Sequence, residues 1–320
     1  MNYKLKKISG DASFREFYRL RKNKGTSIIV SAKKDKFKNL AVYAVVNNIL
    51  NANKINAPKL LSNHYKNNMI EISDLGEKSF YDHIVSKKNK LKDYKSLIKL
   101  LIKIQKIKIK KVYKLDKFKI KIPKYTLSNL HKESDLFFDW YLKYFLKSKK
   151  ISMIKRLLRT ELNTVYKKLI YRNDTFVHRD FHVSNIMMNK NKLGLIDSQD
   201  AIIGNPLYDI ASLIDDVRIK LPGKLQNDLL NFYHKNSKFK KEKIEKLKND
   251  FDILSVQRNL KILGIFVRLF KRDNKDNYLK FLPYTWLLIE KRLENPAFKN
   301  LKILFYKYLP IKKLKKLSKI

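Results

Sequence analysis

Val177-His178-Arg179-Asp180-Phe181-His182-Val183-Ser184-Asn185, followed by Leu193-Gly194-Leu195-Ile196-Asp197, is the stretch on which the reading of this chain turns. Its Asp and Asn stand five positions apart, flanked by apolar runs of strand length at 175–177 and 186–188. A third run, 193–196, ends on a second carboxylate, and Asn189-Lys190-Asn191-Lys192 before it is turn chemistry. A hairpin is therefore predicted that folds Asp197 back beside the loop. Phosphoryl transfer needs a carboxylate facing the attacking hydroxyl and oxygen ligands that hold magnesium against a triphosphate. Asp180 suits the first role; Asn185 and Asp197 suit the second. A carboxamide adds no repulsion to an anionic site. Taken singly, each residue has a plainer reading: a polar group capping a turn for Asp180 and Asn185, a strand-end acid for Asp197, a satisfied core histidine for His178. The joint pattern, His-x-Asp-x-x-x-x-Asn and then strand, turn, strand and Asp, is specific.

Upstream of this segment the chain changes character near residue 76. Residues 3–8, 14–20 and 27–31 read as strands separated by turn residues, and 39–51 carries apolar side chains at helical spacing. An extended stretch from Ala57-Pro58 to about Leu61 and a run at 69–72 follow, with Lys66-Asn67-Asn68 turning between them. The order strand, strand, strand, helix, strand, strand predicts a five-stranded antiparallel sheet with one helix over residues 1–76. Residues 77–320 read as mainly helical, with helices over 94–109, 132–147, 153–172 and 206–219 and several more to the end; the central strands interrupt them.

Composition bounds the rest. The chain of 320 residues has no cysteine, which excludes disulfides and thiolate metal sites and suits a reducing cytoplasm. The N-terminus alternates Lys with apolar residues and does not read as a secretory signal, and no apolar run is long enough for a membrane span. The formal net charge of +44 invites a nucleic-acid or anionic-surface reading. The lysines are spread along the whole chain, however, and Lys, Asn, Ile, Tyr and Phe are enriched together, as A/T-rich codons would produce. A solvated basic surface is the expectation, with no DNA or RNA partner; the run 312–319 is the one plausible basic tail.

His178-Arg179-Asp180 through Asn185, then Asp197, resembles the catalytic and metal-binding segments of the aminoglycoside phosphotransferase and choline kinase-like superfamily, which shares the protein-kinase fold. Gly204-Asn205-Pro206-Leu207-Tyr208-Asp209-Ile210-Ala211 is similar to the helix start that follows them. Gly10-Asp11-Ala12-Ser13-Phe14-Arg15, Asp74-Leu75-Gly76 and Asp197-Ser198-Gln199-Asp200-Ala201 narrow the resemblance to bacterial kinases that phosphorylate the anomeric hydroxyl of N-acetylmuramate and N-acetylglucosamine in cell-wall recycling. The resemblance runs in order from Gly10 to Asp216. It implies an α+β, bilobal protein-kinase-like fold, with residues 1–76 as a nucleotide-binding β lobe ending in a hinge and 77–320 as a helical lobe. It further implies ATP as co-substrate, Mg2+ as cofactor, a small-molecule acceptor and a monomeric protein. Gly10, Ser13 and Arg15 would meet the phosphates, and Ser73 and Leu75 would border the adenine. His178 and Asp209 would support the catalytic loop.

Two departures stand out. A kinase carries a lysine on its third strand paired with a glutamate on the next helix. Here the third strand reads Ile28-Ile29-Val30-Ser31-Ala32, and 39–51 contains no acid. Both halves are missing together, which avoids an unpaired buried charge; positive charge for the phosphates must come from elsewhere, with Arg15 and Lys33 as candidates. Ser198 also stands where an aromatic usually follows the metal-binding Asp, at the expense of packing behind the loop. For the acceptor, Arg179, His182, Gln199 and Asp200 lie close in sequence to the catalytic residues. Choline, ethanolamine, an aminoglycoside or a ketosamine remain alternative acceptors, although acids are scarce for a cationic one. A non-catalytic basic nucleic-acid-binding protein on a degenerate kinase fold is the third reading. Trp140, Tyr141 and Trp286 sit at helical spacing that favours core packing over sugar stacking.

Overall fold

A computed structural model describes residues 4–8, 15–23, 25–33, 38–146, 150–189 and 192–316. The chain divides into two compact units. One comprises Met1–Pro123 with Phe176–Ile203, the other Lys124–Thr175 with Gly204–Ile320.

The first unit is built on an antiparallel five-stranded sheet in the order β1-β2-β3-β5-β4, as its turn residues and apolar runs predict. The strands are β1 (Lys4–Ile8), β2 (Arg15–Lys22), β3 (Gly25–Ala32), β4 (Leu60–His64) and β5 (Met69–Ser73). Alternation sends Ile28, Val30 and Ala32 of β3 and Ile70 and Ile72 of β5 to one face, where α1 (Lys38–Ala52) covers them with Leu40 and Tyr43. Each fully buried aliphatic side chain there is worth about 1.5–3 kcal/mol. A short helix the sequence reading passed over, α2 (Phe80–Ile84), is set by a reciprocal cap: Asp82 N–H donates to Ser79 Oγ and Ser79 N–H to Asp82 Oδ2.

Helix α3 (Leu91–Ile104) buries Tyr94, Leu97, Ile98, Leu101 and Ile104 along one stripe. It stops five residues short of the expected 109. Beyond it the chain enters an unforeseen hairpin, β6 (Tyr113–Leu115) and β7 (Phe118–Ile120), whose turn places Asp116 at φ 47°. The central strands form two small ribbons. Strand β8 (Thr175–Val177) pairs with β11 (Ile202–Gly204), and β9 (Ile186–Asn189) pairs with β10 (Lys192–Leu195) in the predicted hairpin.

The second unit is helical. Its helix α4 (Leu127–Leu136) begins earlier than the predicted 132, because Thr126 and Asn129 make a reciprocal cap. It continues through a π turn, Phe137–Leu142, into the short α5 (Lys143–Phe145). Helix α6 (Ile151–Tyr166) ends before the expected 172. The unit is completed by α7 (Leu207–Ile214), α8 (Gly223–Asn236), the long α9 (Ile244–Asp273), α10 (Leu282–Arg292), α11 (Lys299–Tyr308) and α12 (Ile311–Lys316). No helix among the described residues is long and apolar enough to cross a membrane.

Two buried acids knit the helical unit. Glu133 of α4 accepts from Tyr125 Oη, Tyr208 Oη, Gln257 Nε2 and Lys261 Nζ at 2.7–3.1 Å, which joins α4, α7 and α9. Asp250 of α9 accepts from the N–H groups of Ile170 and Tyr171 and from Asn205 Nδ2. Such acids are tolerable in a core only because every oxygen is bonded. The sugar-stacking option for Tyr141 and Trp286 falls away. Both are buried, Trp286 Nε1 donates to Tyr141 Oη at 2.7 Å, and Phe137 stacks on Tyr141.

Candidate active site

The segment between β8 and β9 is fixed by what it buries. His178, Phe181, Val183 and Ile186 are all fully enclosed, so the chain has little freedom between them. Burial pushes the His178 imidazole down, holding it neutral against the pull of Asp180 and Asp197. Arg179, between His178 and Asp180, has φ 77°, a left-handed conformation that costs a side-chain-bearing residue about 1–2 kcal/mol. Local bonds close the loop. His182 N–H donates to the Asp180 carbonyl at 3.0 Å, Asn185 N–H to the His182 carbonyl at 3.0 Å, and Asn185 Nδ2 to the Asp180 carbonyl at 3.1 Å.

The β9–β10 hairpin then returns the chain to that loop. Ile196 N–H donates to the Asn185 carbonyl at 3.0 Å, so Asp197 begins one residue from a bond to Asn185. Asp197 is itself left-handed, with φ 60° and ψ 39°. Asp180, Asn185 and Asp197 are thus brought together, as the hairpin argument expects. Burial raises the Asp197 carboxyl and the Asp180 charge raises it further, while Arg15 opposes both; one edge of the side chain, 37% exposed, stays open to solvent.

Arg15, at the start of β2, reaches this carboxylate. Its Nη2 donates to Asp197 Oδ1 at 2.8 Å, and Gln199 Nε2 donates to the same oxygen at 3.1 Å. The other expected cation, Lys33, is exposed. Of the remaining expected acceptor contacts, Arg179 Nη1 lies 3.9 Å from Asp200 Oδ1, His182 Nε2 lies 3.3 Å from Asn185 Nδ2, and Gln199 Nε2 also donates to Asp200 Oδ2 at 3.0 Å. Gly10 and Ser13 lie outside the described residues. Ser73 Oγ accepts from Lys59 N–H at 2.8 Å, and Leu75 packs against Gly194. Asp209 belongs to the helical unit and is wholly buried in the first turn of α7.

Ser198 makes a contact that its place in the sequence does not announce: its hydroxyl donates to Asn47 Oδ1 of α1 at 2.6 Å, with both residues buried. Tyr43, one helical turn earlier, lies 5.5 Å beneath the Arg15 guanidinium, and burial next to Asp197 pushes its hydroxyl up to about 12. Neither residue was singled out from sequence. The available signal was a polar Asn47 on the apolar face that Tyr43 and Leu50 mark at helical spacing.

The donor set suits a hard divalent cation. Asn185 uses its amide nitrogen on the loop and Asp197 its Oδ1 on Arg15 and Gln199, leaving one oxygen of each to a metal. A carboxylate and a carboxamide leave most of the coordination sphere to water and phosphate, the pattern magnesium favours.

A profile of the phosphotransferase enzyme family matches residues 4–247. The N-acetylmuramate/N-acetylglucosamine kinase of Pseudomonas aeruginosa is 27% identical over 290 residues, which cover 88% of this chain and 81% of that one. In fold, the chain is similar to the ethanolamine kinase of Plasmodium vivax, with a TM-score of 0.62 at 15% identity, covering 93% of this chain and 84% of that one. It is also similar to an ADP-bound aminoglycoside phosphotransferase, with a TM-score of 0.60 at 15% identity, covering 92% and 94%.

Proposed function

The chain belongs to the phosphotransferase enzyme family, and from that premise we propose that it transfers the γ-phosphoryl group of ATP to the anomeric hydroxyl of an N-acetylated amino sugar. The observation that carries the proposal is the grouping of Asp180, Asn185 and Asp197 at one hairpin edge, in a chain whose curated relatives are named as N-acetylmuramate/N-acetylglucosamine kinases. The likeness to choline, ethanolamine and aminoglycoside enzymes stands at 15% identity or less among the structures and supports the fold alone.

In this reading Asp180 accepts the proton of the sugar hydroxyl as its oxygen bonds to the γ-phosphorus. The bond from that phosphorus to the bridging oxygen breaks, and ADP leaves. Asn185 and Asp197 hold Mg2+, which when bound draws charge from the triphosphate oxygens. His178 holds the loop from beneath as a neutral ring. Ser73 and Leu75 border the base, and Arg179, His182, Gln199 and Asp200 supply polar contacts to the sugar. Gly10 and Ser13, assigned to the phosphates by the sequence alone, lie outside the described residues. The test is turnover with Mg–ATP against N-acetylmuramate, N-acetylglucosamine, choline and an aminoglycoside, with the product identified by phosphorus NMR. A sugar 1-phosphate is expected. Turnover of choline or the aminoglycoside with neither sugar consumed would overturn the acceptor.

A further inference from the structure

Strand β3 ends at Ala32, a buried methyl group at the end of the strand that carries a lysine in kinases, and the cross-strand partner of Ala32 is Arg15. A cation therefore does come to this end of the sheet, from the neighbouring strand. It is enclosed: the Arg15 side chain is only 4% exposed, its guanidinium carbon lies 5.5 Å from the Tyr43 ring and 5.7 Å from the Phe17 ring, and its Nη2 meets Asp197 Oδ1.

The helix on which a kinase places its glutamate has no acid here. Instead Tyr43 offers a ring face to the guanidinium, and Asn47, one turn on, receives the hydroxyl of Ser198, the residue after Asp197. Two features that look like losses in the sequence, no lysine–glutamate pair and no aromatic after the metal-binding Asp, are parts of one arrangement. A ring face attracts a desolvated cation without adding the second negative charge that Asp180 and Asp197 would oppose.

We propose that Arg15 is a positioning residue for the metal: it holds Asp197 by Oδ1, together with Gln199, so that Oδ2 is presented to the cation, and Tyr43 and Asn47 of α1 keep that arrangement in place. Arg15 then acts through Asp197, and its loss strikes metal uptake before nucleotide contact. The inference rests on the reading of Asp197 as a metal ligand and is independent of which molecule accepts the phosphate.

The experiment is a titration of the full chain with Mn2+, followed by electron paramagnetic resonance, in the presence of saturating non-hydrolysable ATP analogue. Metal-free binding of the same analogue is measured by calorimetry. Arg15→Met is expected to weaken Mn2+ binding tenfold or more while metal-free nucleotide affinity changes less than threefold. Arg15→Lys, which keeps the charge and guards against a failure of the first variant to fold, should recover part of the loss, and Tyr43→Leu should weaken Mn2+ binding several-fold. Unchanged Mn2+ affinity in Arg15→Met overturns the proposal. So does an equal loss of metal-free nucleotide binding, which would make Arg15 a phosphate ligand. A wild-type chain that binds no Mn2+ removes the reading of Asp197 itself. One that binds Mn2+ and phosphorylates no sugar removes only the acceptor.

Discussion

Arg19 and Asp74 form a nearly enclosed, two-point ion pair: Nε donates to Oδ2 at 2.6 Å and Nη2 to Oδ1 at 3.2 Å. The same guanidinium donates to the Gly76 carbonyl at 3.0 Å and to Glu77 Oε1 at 2.6 Å, while Asp74 Oδ1 accepts the Gly76 N–H at 2.9 Å. Gly76 has φ 98°, which a side chain would oppose. Burial alone would raise the Asp74 carboxyl; the bonds from Arg19 and Gly76 outweigh it and hold the carboxyl below its ordinary range. The segment after β5 is thus clamped to β2 by one side chain. Arg19→Met leaves Asp74 buried without its cation, a loss of about 3 kcal/mol. If residues 73–77 border the adenine, KM for ATP rises several-fold while KM for the acceptor stays put. Urea denaturation and initial rates check both, and a variant as stable as the parent would show the clamp to be idle.

Asp180 carries the sharpest catalytic expectation. Asp180→Asn keeps the shape of the side chain and removes the basic oxygen. Removal of a general base costs on the order of 10²–10⁴ in rate, so kcat should fall by about that factor, with nucleotide affinity within threefold of the parent. Rates are measured with Mg–ATP and binding by calorimetry. A variant turning over at the parental rate would strip Asp180 of the role.

How much of this was legible in the sequence depends on how far apart the interacting parts lie along the chain. Asp180, Asn185 and Asp197 could be read together because one loop and one hairpin bring them together, and hairpin geometry is local. The five-stranded sheet was legible for the same reason, its turns being written in Gly, Asn and Ser. The Ser198–Asn47 bond spans 151 positions and Arg15–Asp197 spans 182, and no periodicity announces either. Helix ends failed where a side chain decided them. Asn129 starts α4 early through its cap, and Ile107 goes on burying apolar surface after α3 has ended, which prolongs the helical pattern past the helix.

Asp252 gives a pH dependence of stability that owes nothing to the active site. Burial raises its carboxyl to about 6; Arg292 and Asn295 oppose the rise and Asp215 adds to it. Arg292 is already satisfied by Asp215, Nε to Oδ2 at 2.9 Å and Nη2 to Oδ1 at 2.8 Å, so Asp252 at 3.6 Å is a surplus anion. A raised carboxyl makes the folded state bind a proton that the unfolded chain has released. Stability therefore falls as pH climbs from the unfolded value of 3.8 to about 6, and is level above it. The expected loss across that window is about 1–3 kcal/mol. Asp252→Asn removes the titration and keeps an oxygen for Asn295 Nδ2, which now bonds Oδ2 at 3.0 Å. The variant should gain on the parent by that amount between pH 4 and pH 7 in urea denaturation. A difference that stays constant with pH would refute the assignment.

Gly264 tests the packing of the helical unit. A Cβ placed there would lie 2.3 Å from both the carbonyl carbon and the oxygen of Leu136. Those are backbone atoms at the end of α4, where the π turn Phe137–Leu142 begins, so no side chain can swing aside. In an exposed helix Gly→Ala would gain about 1 kcal/mol. Here the methyl group must separate α4 from α9, and overpacking of that kind costs about 1–3 kcal/mol or more, so Gly264→Ala should be destabilising despite its better helix propensity. Gly223→Ala is the matched control. Its Cβ would meet only Lys291 Nζ, the far end of a long side chain that bonds Gln226 Oε1, at 3.2 Å. A shift of a few tenths of an ångström there relieves the contact, and its stability should stay within about 0.5 kcal/mol of the parent. Thermal denaturation of the two variants side by side decides the point. Equal melting temperatures would mean that the helices do not approach this closely.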